Sequence, residues 1–336
     1  MPYIDTDKIS LQLRNKLLDL QNKRILITNF NGTEQEKDFT MPSNCDGYGR
    51  IHHFIRKSSS GWPEDPLPID PASKALDLPD VNMMEAQVFQ IAGCSWRCWY
   101  CFVPYELLTA NSKYSGWMSA LDLIDLYLKQ YNRPLIIDLS GGQPDLVPEW
   151  TLWILQELTS RGINDKVYVW SDDNLSNYYF FKYLTDDDRN FILKYKNYGR
   201  VGCFKGFDPE SFSFNTRSNP FLFYRQFDII KKLLALGLDV YAYVTLTTPN
   251  CDSIHIKISK FMDKLQQVHE FLPLRMVPLE IKPFTPTKNR IDDVNFRSLR
   301  YQRTAVDFFY DELRARYSKK ELSLPIYEVP HKKVSI

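Results

Sequence analysis

The chain has 336 residues, 44% of them apolar and 25% charged, with a formal net charge of +1, the balance of an ordinary folded protein with ample length for a large core. That balance leaves no overall field to draw in nucleic acid or an anionic membrane, and no uninterrupted apolar run approaches the roughly 18 residues of a membrane span. The one compositional excess is aromatic, with 20 Tyr and 21 Phe, which fits a large aromatic core better than a substrate cavity lined with rings.

The N-terminus, Met1 to Lys8, lacks a basic and then apolar signal segment, so a cytoplasmic, reducing setting is expected. A helix is predicted from about Thr6 to Asn22, with Leu13, Leu17 and Leu20 on one face. An apolar strand, Ile25 to Phe30, follows and stops at Asn31-Gly32. Regular structure then becomes hard to read through Asn44 to Phe54. The segment Gly61 to Pro71 is dense in proline, which argues against helix and for an extended strap packed by Trp62, Leu67 and Ile69.

From Val88 onward short apolar strands alternate with longer helical stretches, the pattern of a parallel sheet wound with helices. Six strands are expected: Val88 to Ala92, Leu135 to Leu139, Lys166 to Trp170, Arg200 to Phe204, Val240 to Thr245 and Met276 to Ile281. Helices are expected over Ala120 to Gln130, Glu149 to Thr159, Ser176 to Leu184, Phe221 to Leu236 and Ile254 to Phe271. The fold class is therefore α/β, an incomplete (βα)6 TIM-like barrel, whose ligands belong at the C-terminal strand ends. The chain divides into an N-terminal extension (1–85), the barrel (86–284), and a C-terminal helix, Val294 to Tyr317, with its tail (285–336). That last part carries eleven Lys or Arg against seven Asp or Glu, an excess that reads as a solvated helix face and gives no indication of nucleic acid.

The loop after the first barrel strand holds Cys94, Cys98 and Cys101 within eight residues. Thiolates suit zinc, copper(I) or iron–sulfur clusters, and three without a fourth nearby leave one coordination position open. Structural zinc would want a fourth ligand, while Cys45, Cys203 and Cys251 are scattered singly. Cys45 with His52 and His53 reads as satisfied polar residues ahead of a second metal site. Further along, Gly141-Gly142-Gln143-Pro144 ends the second strand, where bare backbone can approach a ligand. Ser171, Asp172, Asp173 and Asn174 end the third, and suit either ribose hydroxyls or the N-cap of the next helix. The fourth leads into Lys205-Gly206-Phe207-Asp208.

The C-x3-C-x2-C loop resembles that of the radical S-adenosylmethionine (radical SAM) enzymes, and the likeness extends over residues 88–284. It implies that Cys94, Cys98 and Cys101 hold a 4Fe-4S cluster whose fourth iron binds S-adenosylmethionine. It also implies reductive cleavage to a 5'-deoxyadenosyl radical that abstracts hydrogen from a substrate. Gly141, Gly142, Gln143 and Pro144 are similar to the Gly-Gly-Glu-Pro motif that holds the methionine amino group, with Gln143 where glutamate is usual; the amide keeps an acceptor but loses the charge. Tyr100 stands where an aromatic packs on adenine. Lys205 resembles the lysine of a Lys-Gly-x-Asp segment in glycyl-radical activating enzymes and would meet the methionine carboxylate. Ser171, Asp172 and Asn174 would take the ribose. Trp96 reads as a core anchor for the loop, while Trp99 and Phe102 exclude water. The resemblance implies a reducing partner such as flavodoxin or ferredoxin and a protein, peptide, nucleoside or metabolite substrate. Arg50, His52 and His53 lie outside the resemblance, in the N-terminal extension, and are candidate polar contacts for that substrate. The absence of cysteine after Cys251 argues against a C-terminal auxiliary cluster. The competing reading is a zinc-binding or iron-sensing regulatory or scaffold protein with no turnover.

Overall fold

Parallel strands buried on both faces need apolar residues throughout and helices to cover them, and the alternating runs supply both. The computed structural model describes residues 3–59 and 61–331. In chain order the strands are β1 (Leu18–Asp19), β2 (Arg24–Thr28), β3 (Gly49–Ile55), β4 (Met83–Phe89), β5 (Ser115–Ser119), β6 (Ile136–Leu139), β7 (Tyr168–Asp173), β8 (Tyr198–Phe204), β9 (Val240–Thr245) and β10 (Met276–Leu279). The helices are α1 (Thr6–Leu17), α2 (Ile69–Ala75), α3 (Ala120–Leu128), α4 (Pro148–Ser160), α5 (Tyr179–Tyr183) and α6 (Asp186–Lys194). They continue with α7 (Pro209–Thr216), α8 (Phe223–Ala235), α9 (Ile254–Val268), α10 (Asp293–Arg316) and α11 (Lys319–Leu322).

The main sheet has seven strands in the order β10-β9-β8-β7-β6-β4-β3. All neighbours are parallel except β3, which runs antiparallel to β4 at one edge with Arg50 opposite Val88. This mixed sheet curls into an open half-barrel. A second sheet of three strands, β1-β2-β5, is antiparallel.

Four expectations change. The helix predicted to Asn22 ends at Leu17, because Leu18 and Asp19 turn back to pair with Ile25 and Arg24. The first barrel strand lies earlier than Val88 to Ala92: Gln90 and Ala92 leave the main sheet and bond to Thr28 and Leu26 of β2. The proline-dense segment is not helix-free, since Ile69, Asp70 and Pro71 open α2, where a first-turn proline forfeits no backbone bond. The helix expected over Ser176 to Leu184 shortens to α5, and α6 follows at once, started by the capping box of Thr185 and Asp188.

Alternation along the strands gives the sheet two different faces. The outer face presents Phe89, Ile137, Leu139, Val169, Phe204 and Val244 to helices α3, α4, α8, α9 and α10 through Leu123, Ile154, Ile230, Phe261 and Phe309. The inner face presents Ala86, Ile136, Tyr168, Trp170, Val201, Tyr241 and Tyr243, packed with Leu67, Ile69, Ala72 and Ile326. Each large side chain buried here contributes about 2 kcal/mol.

The open side of the half-barrel is bridged by the N-terminal part of the chain. Ser58 and Ser59 donate to Glu280 at 3.2 and 2.7 Å, and the Trp62 indole donates to the Pro278 carbonyl at 3.3 Å. Tyr243 donates to Asp65 at 2.9 Å, and Thr285 donates twice to Asp38, at 3.0 and 2.6 Å. Segments flanking edge strand β3 thus reach edge strand β10 and its continuation. No described helix is long and apolar enough to cross a membrane.

Candidate active site

The three-cysteine loop leaves the C-terminal end of β4 and is braced along its length. The Cys94 amide donates to the Leu108 carbonyl at 3.1 Å and that of Arg97 to Thr216 at 3.3 Å. The Arg97 guanidinium turns back onto the carbonyls of Cys94 and Trp96, at 2.6 and 2.7 Å. The Tyr105 hydroxyl holds the carbonyls of Arg97 and Cys98, and Arg290 donates to those of Cys101 and Val103. Trp96 is buried with its ring edge-on to Phe212 at 5.6 Å, the anchoring role expected of it. Trp99 and Tyr100 meet edge to face at 5.5 Å, and the Tyr100 hydroxyl lies 3.1 Å from Thr245 Oγ1.

Burial, then mutual repulsion with Cys98 and Cys101, pushes the Cys94 thiol up; burial lifts Cys98 to about 11 and raises Cys101. Lys205 and Arg97 work against the rise at both Cys98 and Cys101. Neutral thiols in a buried site with cations beside them suit ligands that ionise when a metal supplies the positive charge. Among the described residues, no group of three or more His, Cys, Asp or Glu is placed to hold a metal ion. The Asn174 amide donates to Cys94 Sγ at 3.8 Å, the kind of bond to sulfur that tunes such a centre.

The double glycine sits under this loop. Gly141 and Gly142 have φ of 77° and 66°, and a Cβ on Gly142 would lie 2.1 Å from the Ile91 carbonyl. The missing side chain therefore lets the turn dock against the entry to the cysteine loop. Pro144 starts a short turn of 3-10 helix, Pro144–Leu146. Gln143 is fully buried: its Oε1 accepts from Ser95 N and Oγ, both at 2.8 Å. Its Nε2 donates to Asp145 at 3.1 Å and to Ser176 at 2.6 Å. The amide thus ties the cysteine loop to Asp145, whose other partners are Ser176, Asn177 and the Asn174 backbone. Glutamate could not make both halves of that bridge, because it donates nothing when ionised.

The run at the end of β7 is split between the two faces. Ser171 pairs in register with Leu139 and Arg200 and points outward, its hydroxyl 2.8 Å from that of Tyr198. Asp173 also faces outward and binds Arg200. Asp172 faces inward, so Ser171 does not join it. Neither Asp173 nor Asn174 caps α5; the bond to the Tyr179 amide comes from Asn177. Asp208 of the Lys-Gly-x-Asp segment caps α7.

Inner-face side chains at the C-terminal strand ends are charged. Register puts Arg50 opposite Val88, Val88 opposite Asp138, and Asp138 opposite Trp170, two residues before Asp172. Lys205 continues the inner row of Val201 and Cys203, and its ammonium lies 5.9 Å from the Trp96 ring. Burial raises Asp138 to about 7 and, with the Asp138 charge, lifts Asp172 well above the carboxylate range. Burial would lower Lys205, but Cys203, Tyr100, Cys98 and Asp172 hold it above its ordinary value. Sequence reasoning missed Asp138 as a site residue; its signal was an aspartate inside an otherwise apolar strand. His52 is half-buried and lowered to about 3, first by desolvation and then by Arg50, while His53 turns to Glu85 at 3.1 Å. Cys45 is buried, its thiol pushed up to about 12 by burial. Clefts of about 540 Å³ (Tyr131, Arg133, Lys166) and 450 Å³ (Arg56, Asp80, Tyr327) lie at the opposite strand ends.

No family model matches the chain, and no curated protein matches it. Among solved structures it is similar to Streptococcus suis SuiB bound to S-adenosylmethionine, at 15% identity and a TM-score of 0.47 over 68% of this chain and 47% of that one. SuiB bound to its precursor peptide SuiA gives 16% and 0.44 over 67% and 46%. A further SuiB structure gives 16% and 0.38 over 54% and 36%. The chain spans less than half the length of these solved structures.

Proposed function

We propose that the chain is a radical SAM enzyme built on an incomplete (βα)6 barrel. The observation that carries this reading is the three-thiol loop at the C-terminal edge of parallel strand β4, with Cys94 buried and bonded to Asn174 and with Lys205 beside the thiols. Cys94, Cys98 and Cys101 would hold a 4Fe-4S cluster. When bound, the cluster and S-adenosylmethionine supply a reductive cleavage whose 5'-deoxyadenosyl radical takes hydrogen from substrate.

The chain's own residues have distinct tasks in this reading. The turn Gly141 to Pro144 docks the cysteine loop, and Gln143 fixes its position through Ser95. Lys205 holds its proton at Nζ and offers a cation to the methionine carboxylate. Asp172 and Asn174 face the nucleoside, and Tyr100 closes over its base, with Trp99 excluding water. Ser171 contributes by bracing β7 against Tyr198 instead of touching ribose. The electron would come from a partner such as a flavodoxin or ferredoxin, and the setting would be the cytoplasm.

The test is anaerobic reconstitution with iron and sulfide, then dithionite and S-adenosylmethionine, with 5'-deoxyadenosine as readout. Wild type is expected to yield it and Cys98→Ala to yield none. A chain that takes up zinc in place of iron and forms no product overturns the reading.

A further inference from the structure

The inner face carries two buried polar groups that the cluster and S-adenosylmethionine do not use. Arg50 comes from β3, outside the parallel strands, yet its side chain is 6% exposed and shares the inner face with Asp138, 2% exposed. The guanidinium lies 5.6 Å from the Phe39 ring and 5.5 Å from the Phe102 ring, and its Nη1 donates to neutral His52 at 3.3 Å. Its Nε is buried with no partner. Asp138 accepts from Ser140 on Oδ2 at 2.8 Å, while its Oδ1 is buried with no partner.

Native interiors rarely leave such groups unpaired, because a buried donor or acceptor without a partner gives up its bonds to water for nothing, and a charge gives up more. Here one donor edge and one acceptor oxygen lie on the same face, two strands apart. An arginine with Nη1 already held and Nε free presents its side-on edge, the edge that takes a carboxylate or phosphate through two parallel bonds. An orphaned carboxylate oxygen asks for an N–H or O–H. The N-terminal segments bridging Glu280, Pro278 and Thr285 close the open side of the half-barrel, so what reaches this pair is small.

We infer that Arg50 and Asp138 are the substrate anchor: Arg50 binds an oxyanion and Asp138 binds an amine or hydroxyl of the same small molecule. This rests on the radical SAM reading, since it leaves Lys205 and Asp172 to S-adenosylmethionine. The substrate class is a small metabolite carrying a carboxylate or phosphate and, near it, a hydrogen-bond donor.

The test is isothermal titration of the full chain, unreduced, with four probes: O-phosphoethanolamine and inorganic phosphate, β-alanine and acetate. The first pair reads a phosphate and the second a carboxylate, and within each pair only the first probe carries an amine. One amine-bearing probe is expected to bind, with Arg50→Gln weakening it at least tenfold and Arg50→Lys recovering only part, because a point charge cannot replace the fork. Asp138→Asn, nearly isosteric, should bring the amine-bearing probe to the affinity of its simple anion. No binding of any probe, equal binding by wild type and Arg50→Gln, or loss on Lys205→Met in place of Arg50→Gln overturns the anchor. Probe binding by a wild-type chain that never cleaves S-adenosylmethionine keeps the anchor and overturns the enzyme reading; cleavage with no probe binding does the reverse.

Discussion

Asp172 and Asp173 are neighbours on one strand and live in opposite chemistry. Asp173, on the outer face, accepts from Arg200 at 3.0 and 2.5 Å and from the Leu175 amide at 2.7 Å, and the pair is closed off under helices. The Arg200 guanidinium also stacks over Phe180 at 4.8 Å. Asp172, on the inner face, shares its surroundings with Arg50, Asp138 and Lys205, and no two of these four form an ion pair among the described residues. A closed, fully bonded pair fixes β7 to β8. Polar and ionisable groups held apart on a largely buried face cost folding free energy, and that cost is tolerated where a ligand supplies the missing partners.

Breaking the outer pair should therefore cost most. Asp173→Ala leaves Arg200 charged and uncompensated under the helices, and about 3–5 kcal/mol of stability should be lost, read from urea denaturation. The same method on the closed network around the cysteine loop should show the next effect. Gln143→Glu puts a second carboxylate against Asp145, whose own carboxyl is already raised to about 6 by burial and by Asp173. A loss of about 2 kcal/mol is expected, along with reduced iron per chain after reconstitution, because the donor that ties Asp145 to the cysteine loop is gone.

The inner face should answer with the opposite sign. Asp138 keeps its proton up to about pH 7 when folded, against 3.8 as the ordinary value. Between those pH values the unfolded chain ionises and the folded one does not, so Asp138 lowers stability progressively as pH rises from about 4 to 7, and fully above. Asp138→Asn removes that penalty. It should match wild type near pH 4 and exceed it by up to about 4 kcal/mol at pH 8, while losing probe affinity. Equal stability at both pH values would show that the inner carboxylate is as well paired as the outer one.

How much of this was legible follows from the same alternation. Strands β6 to β10 stand out in the sequence because both of their faces are apolar over most of their length, and the cysteine loop stands out by ligand type. Strand β3 did not: Gly49-Arg50-Ile51-His52-His53-Phe54-Ile55 puts arginine and histidine on a buried face, which reads as loop unless the interior it faces is known to be polar. Gln143 was legible as a departure from the family motif, but its partners Ser95 and Ser176 lie 48 and 33 residues away in the chain, and only the fold brings them together.

Ser171 tests the finest point of the comparison. A run of three polar residues at a strand end invites one shared ligand, yet a period of two sends the first and third to one face and the second to the other. Ser171 exchanges a hydrogen bond with Tyr198 on the outer face, so Ser171→Ala should cost about 1 kcal/mol and leave the affinity for S-adenosylmethionine within twofold of wild type. Asp172→Asn, one residue on, should leave stability unharmed and weaken that affinity at least tenfold. If instead the serine variant weakens binding and the aspartate variant does not, the register of β7 against β6 and β8 must be shifted by one residue, and with it the assignment of every inner-face charge.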